Sequence, residues 1–272
     1  THFFGFVTFH IKNKWNEPTN YICPQTKQVI PAIQKWYHDN ERILCHEYHV
    51  DGKIENYVDL ETNEIIPAFQ QWYNNGQIQI QQYYVNEKLE NYVDPKTNET
   101  IPAYQHWNDN GQLSLQEYNV DGKIENYVDP STNVCIPAVQ ICYGNGLFLS
   151  QTYYVNGKEE NYVDPETNKI IPAYQEWNNG QLDMQEYYVN GKKENYIDPE
   201  TNKIIPAFQS WYKNGQIFSQ EYYINNVKIQ QKNFMVLYEI LTCYVKKYLS
   251  RVHNKNKRKA SRELIVMQEW FC

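Results

Sequence analysis

The residues best equipped for chemistry sit close together near the start of the chain. His38, Cys45, His46 and His49 supply the imidazole and thiol groups that hold zinc. On a strand, however, Cys45 and His46 point to opposite faces, and the set occurs only once. Surface or pairing roles are therefore expected for these four, with no metal site. Asp94, Thr97 and Asn98, with their counterparts elsewhere, offer oxygen ligands but lack the dense acidic spacing and glycine of a calcium loop. An Asx-type turn accounts for them. Paired carboxylates such as Glu159 and Glu160 recur along hairpins instead of converging on a pocket, and neither a Ser-His-Asp set nor a phosphate loop is present. The expectation is a protein that is not an enzyme and carries no cofactor. What does recur is a tryptophan, at Trp72, Trp107, Trp177 and Trp211, whose indole face suits a ligand as well as a packing partner.

The elements that must carry these residues follow from internal repetition. Pro-Ala recurs at Pro31, Pro67, Pro102, Pro137, Pro172 and Pro206, at spacings of 36, 35, 35, 35 and 34, which defines six repeats. The residue four beyond each alanine is Trp36, Trp72, Trp107, Cys142, Trp177 or Trp211. Asn-Tyr keeps the same period, at Tyr21, Tyr57, Tyr92, Tyr127, Tyr162 and Tyr196. Glycines fall at two turn positions per repeat, mostly after Asn or Asp. Such dipeptides between aromatic and β-branched runs are the strongest local hairpin signal.

Between the two turns lie about nine residues, such as Gln181 to Val189, which suit one long strand. Two long strands per repeat, with Asp-Pro-x-Thr-Asn as a loop or bulge inside one of them, would keep all repeats equivalent. A full reversal at that motif would give three strands and alternate the faces. The first version is expected, because stacked repeats bury equivalent positions against each other. The predicted fold is mainly β: an elongated, single-layer antiparallel array of six repeats of about 35 residues, held by cross-strand Tyr and Trp pairs. The divisions expected are an N-terminal strand or cap over 1–19, the array over 20–230 and a distinct segment over 231–272.

Composition narrows the function. Of 272 residues, 41% are hydrophobic and 15% aromatic, with 25 Tyr, which is globular rather than disordered. The net charge of −7 argues against nucleic acid as a partner. Cys23, Cys45, Cys135, Cys142, Cys243 and Cys272 are irregularly spaced without a CxxC pair, so free thiols are expected. No secretion signal is recognisable, which suggests an intracellular protein, and the apolar stretch from Phe234 to Leu241 is too short to span a bilayer.

At Trp-Tyr-Asn-Asn-Gly-Gln (72–77) and Tyr-Tyr-Val-Asn-Gly-Lys (153–158) the unit resembles the MORN-type repeat, in its divergent YYxNG form. With the inserted DPxTNxxIPA stretch it is similar to repeat proteins encoded by giant viruses of the mimivirus and megavirus kind. The resemblance spans about residues 20–230 and implies a β-hairpin array, with the host cytoplasm as its setting if the protein is viral.

Beyond residue 231 the composition changes. Lys232 to Cys272 carries nine basic and three acidic residues, a net +6, which leaves −13 on the rest. Phe234, Leu237, Tyr238, Leu241, Tyr244 and Tyr248 keep helical spacing, so an amphipathic helix is predicted that caps the sheet edge or joins two copies. Lys255, Lys257, Arg258, Lys259 and Arg262 form a basic cluster able to touch anionic lipid. The functional expectation is a repeat scaffold for protein–protein interaction that self-associates as a homodimer. The alternative is a ligand-binding repeat protein that takes a lipid headgroup, choline or a glycan on its Trp and Tyr faces.

Overall fold

The structure is a computed structural model and describes residues 6–37, 42–59, 62–198, 201 and 203–230. The helix predicted over Lys232–Val252, with its stripe from Phe234 to Tyr248, and the basic cluster at Lys255–Arg262 lie outside these residues, as does His38. Among the described residues there is no helix. A 14-stranded antiparallel sheet runs through them as a meander in chain order, from Phe6–His10, Ile33–Tyr37 and Ile43–Glu47 to Phe208–Trp211, Ile217–Ile224 and Val227–Ile229. At about 4.8 Å per strand its length is about 60 Å. Each repeat contributes two strands, such as Phe69–Trp72 and Ile78–Gln82, joined through the post-tryptophan turn with a bulge before the Trp. The bulge follows from the turn: Gly76 adopts φ 85°, and Asn75 Oδ1 accepts from Gln77 N–H at 3.0 Å.

The nine-residue stretch is broken in most repeats. It leaves the long sheet at a tyrosine and forms a two-stranded ribbon, Tyr84–Val85 with Lys88–Leu89, around a tight turn. Where that turn is Asp121-Gly122, Asn156-Gly157 or Asn190-Gly191, both residues have positive φ, the type I′ geometry that matches strand twist. A second ribbon follows, Tyr92–Val93 with Thr100–Ile101. Asp-Pro-x-Thr-Asn is its loop. This corrects the expectation of a loop or bulge inside a long strand: the motif reverses the chain fully, but within a ribbon of its own. The number of long strands per repeat therefore stays at two and the faces do not alternate. Asp94 N–H donates to Glu99 O, Asp94 Oδ1 accepts from Lys96 N–H at 2.8 Å, and Asn98 takes φ 60°. The oxygens of Asp94 thus serve the turn, Oδ1 through Lys96 N–H and the carbonyl through Asn98 N–H at 2.7 Å.

The core is a spine only one residue wide in each layer. Ala32, Ala68, Ala103, Ala138, Ala173 and Ala207 are wholly buried, with Tyr48, Tyr83, Tyr118, Tyr153, Tyr187 and Tyr222 beside them. Five of these tyrosines stack on the tyrosine of the following Asn-Tyr pair, for example Tyr118 on Tyr127 with centroids 5.4 Å apart and planes within 5°. The expected aromatic ladder is therefore tyrosine on tyrosine between strand and ribbon. Tyr83 N–H donates to Ala103 O, which hands the chain from one repeat to the next.

The Asn of each Asn-Tyr pair closes the frame. Asn91 Oδ1 accepts from Ala103 N–H (3.1 Å) in its own repeat and from Asn119 N–H (2.9 Å) in the next. Asn20, Asn56, Asn126, Asn161 and Asn195 make the same pair of bonds. The preceding glutamate reaches the next ribbon turn: Glu90 Oε2 accepts from Gly122 N–H at 2.8 Å. Two side chains per repeat therefore hold backbone groups that no strand can satisfy.

Candidate functional site

Strand register sorts the long sheet into two faces. On one, the third residue after each Pro aligns with the residue one before the end of the following long strand, or with Gln220 inside the longer Ile217–Ile224. The resulting row reads Gln34, His46, Gln70, Gln81, Gln105, Gln116, Gln140, Gln151, Gln175, Gln185, Gln209 and Gln220, each the cross-strand partner of the next. Gln185 Nε2 donates to Gln209 Oε1 at 2.7 Å, and Gln116 bonds Gln140 in the same way. Trp36, Trp72, Trp107, Trp177 and Trp211 lie two residues beyond the glutamines, all half-buried, with Cys142 in the missing place. Trp72 packs edge-on against His46 at 5.0 Å, which puts indole and glutamine rows on one face. The predicted Trp set is thus brought into line, and none of its members is fully exposed.

The opposite face carries a second row. Ile33, Phe69, Tyr104, Val139, Tyr174 and Phe208 alternate across it with Glu47, Gln82, Glu117, Thr152, Glu186 and Glu221. The ribbon tyrosines turn onto this row: Tyr188 and Tyr223 hydroxyls donate to Glu186 Oε2 (2.9 Å) and Glu221 Oε2 (2.8 Å). Lys193 Nζ bonds Glu186 at 2.7 Å, and Lys228 Nζ bonds Glu221 at 2.6 Å. Lys228 holds the Glu221 carboxyl below the usual glutamate range, while burial raises the Tyr188 phenol first and the Glu186 bond raises it further.

No family model matches the chain, and no curated protein matches it.

The remaining candidate residues fall apart. Cys45 is buried on the acid–aromatic face, His46 stands in the glutamine row, and His49 lies 3.6 Å from Glu47. Burial alone pushes the His46 imidazole down to about 4, and its Nε2 is buried without a hydrogen-bond partner. No group of three His, Cys, Asp or Glu residues converges among the described residues. Cys23, Cys45, Cys135 and Cys142 are free thiols. No helix among the described residues is long and apolar enough to cross a membrane.

Among the described residues the sheet also ends openly: Ile217–Glu221 pairs with Phe208–Trp211 on one side, and Val227–Ile229 pairs with Tyr222–Ile224. No other strand pairs with Ile217–Glu221 among the described residues. Phe218 is 63% exposed and Ile217 51%, with Tyr212 edge-on to Phe218 at 4.9 Å. This edge is the one the predicted helix was expected to cap, whereas the glutamine row and the paired bonds of each asparagine were not anticipated from the sequence. Their signal was the constant Gln two residues after each Pro-Ala and the constant Asn before each Tyr, both at the repeat period.

Proposed function

We propose that the chain is a non-enzymatic β-repeat scaffold of the MORN type, working inside a cell, that binds protein partners and self-associates as a homodimer. The observation that carries this reading is the strand Ile217–Glu221, open on its outer side among the described residues, with its exposed Ile217 and Phe218. An unpaired edge is a template for another chain, and two copies meeting there antiparallel would form a twofold contact. Repetition supports the scaffold part, since each repeat lays the same side chains along both faces and offers an extended surface. Light scattering coupled to size exclusion tests it on the full chain. A particle of about twice 32.6 kDa is expected, and Phe218→Lys should return it to a monomer. A monomeric wild type would end the self-association reading.

A second reading has support of its own. The half-buried tryptophans flank a row of amide donors and acceptors, a combination suited to a neutral ligand such as a glycan or to a choline headgroup. Tryptophan emission titrated with oligosaccharides and choline would decide it, a saturable change favouring this face as a binding surface.

A further inference from the structure

One position on the acid–aromatic face changes character along the array. It is the ribbon residue paired with the turned tyrosine or its equivalent, and it reads Ile54, Leu89, Ile124, Glu159, Lys193 and Lys228. In the repeat that carries Lys193, the ammonium sits over three rings, 5.9 Å from Tyr188, 5.7 Å from Phe208 and 5.3 Å from Tyr223, and bonds Glu186. The chain thus shows what this niche accepts: a cation, held by ring faces and a carboxylate. One repeat earlier the equivalent rings are Tyr154, Tyr174 and Tyr188, all half-buried, but Glu159 stands where the lysine would be.

The ring faces, whose electron density favours positive charge, are therefore present there without the lysine; buried Thr152 stands where Glu186 stands in the neighbour, and the carboxylate comes from Glu159 instead. Glu159 is itself half-buried, and none of the ion pairs among the described residues involves it. A carboxylate beside ring faces, with no ion-pair partner among the described residues, is an arrangement that attracts an incoming cation. Its charge is felt by the rings: after burial, Glu159 and Glu117 raise the Tyr154 phenol, and Glu159 adds to the rise at Tyr188.

We propose that the niche of Tyr154, Glu159, Tyr174 and Tyr188 binds an organic ammonium group, as its neighbour binds the ammonium of Lys193. This goes beyond the scaffold reading and does not depend on the oligomeric state. The ligand can be a free ammonium compound or a lysine side chain, and the basic segment around Lys255–Lys259 is the lysine source within the chain.

The test is a titration of the full-length protein with tetramethylammonium chloride against matched sodium chloride, read from the tyrosine ring resonances by NMR. Saturable shifts of Tyr154, Tyr174 and Tyr188 are expected, and Glu159→Gln should weaken binding about tenfold, the loss of one carboxylate from a ring-lined cation site. Glu159→Lys should fold, abolish binding and raise the melting temperature, because it copies the neighbouring niche. If the wild type refuses the probe but a variant with Lys255, Lys257, Arg258, Lys259 and Arg262 all changed to Gln accepts it, the chain's own basic segment is the occupant and the proposal stands. Shifts no larger than those from sodium chloride in both proteins, or equal affinity in Glu159→Gln, would overturn it. A lower melting temperature for Glu159→Lys would count against it as well.

Discussion

Replacing Asn126 with alanine tests the principal joint of the array. Asn126 Oδ1 accepts from Ala138 N–H at 3.1 Å and from Tyr154 N–H at 2.9 Å, one bond within its repeat and one to the next. Ala138 is wholly buried, so its N–H has no access to water once the acceptor is gone. Each orphaned buried donor costs about 1–3 kcal/mol, and the Tyr154 site is only half-buried, so a total of about 2–4 kcal/mol is expected. Asn126→Asp keeps an acceptor oxygen in place and should lose less than about 1 kcal/mol at neutral pH. A repeat array need not unfold in one step, so the readout is native-state hydrogen exchange at individual amides. Protection should fall most at Ala138 and Tyr154 and little at Ala68 or Ala207. A loss below about 0.5 kcal/mol in Asn126→Ala, or a drop spread evenly over the chain, would refute the idea that asparagine joins the repeats.

Other outcomes follow from the same structure. Glu87 holds φ 64° in the ribbon turn where four sister repeats place glycine, so Glu87→Gly should add about 0.5–1 kcal/mol in thermal or urea unfolding, the exposed pair with Lys53 contributing little. Burial raises the carboxyls of Glu55, Glu160 and Glu194 above the ordinary 4.5. The folded chain then holds protons that the unfolded chain has released, so their contribution to stability falls as pH rises through that window. Changing all three to Gln should remove this contribution, so that urea midpoints of the variant gain on those of the wild type from pH 4.5 upward.

The period, the hairpin turns and the number of long strands were legible because each is written in the order of residues: Pro-Ala, Trp and Asn-Gly return on schedule. Even the 34-residue spacing has a local cause, since Trp177-Asn178-Asn179-Gly180 is one residue shorter than Trp72-Tyr73-Asn74-Asn75-Gly76. The ribbons were not legible, because strands of two residues are too short to show periodicity. Nor was the glutamine row. Gln70 and Gln81 are eleven residues apart and become neighbours only through strand register, as do Gln81 and Gln105. Asn91 reads as a turn residue in any local window, and its two acceptor bonds reach 12 and 28 residues ahead. The series Ile124, Glu159, Lys193 was visible as a change of charge, but its meaning depends on rings contributed by neighbouring strands.

His46 is where the glutamine row breaks, and it shows what the amide does there. Its cross-strand partners are Gln34 and Gln70, its ring meets Trp72, and its Nε2 has no partner. Burial lowers it from 6.5 to about 4. Between those values the unfolded chain takes up a proton that the folded chain refuses, so stability drops as pH falls from 6.5 towards 4. His106, lowered by burial on the other face, acts in the same direction and is common to wild type and variant. His46→Gln removes the titrating group and supplies the amide found at every other position of the row, losing edge contacts with Trp72 and, at the longer distance of 6.3 Å, with Tyr48, together worth about 0.5–1.5 kcal/mol. The variant should match wild type within that range at pH 8 and overtake it near pH 5 in urea unfolding. An unchanged acid slope, or a loss beyond about 1.5 kcal/mol at pH 8, would mean that the ring of His46 packs in a way the amide row cannot replace.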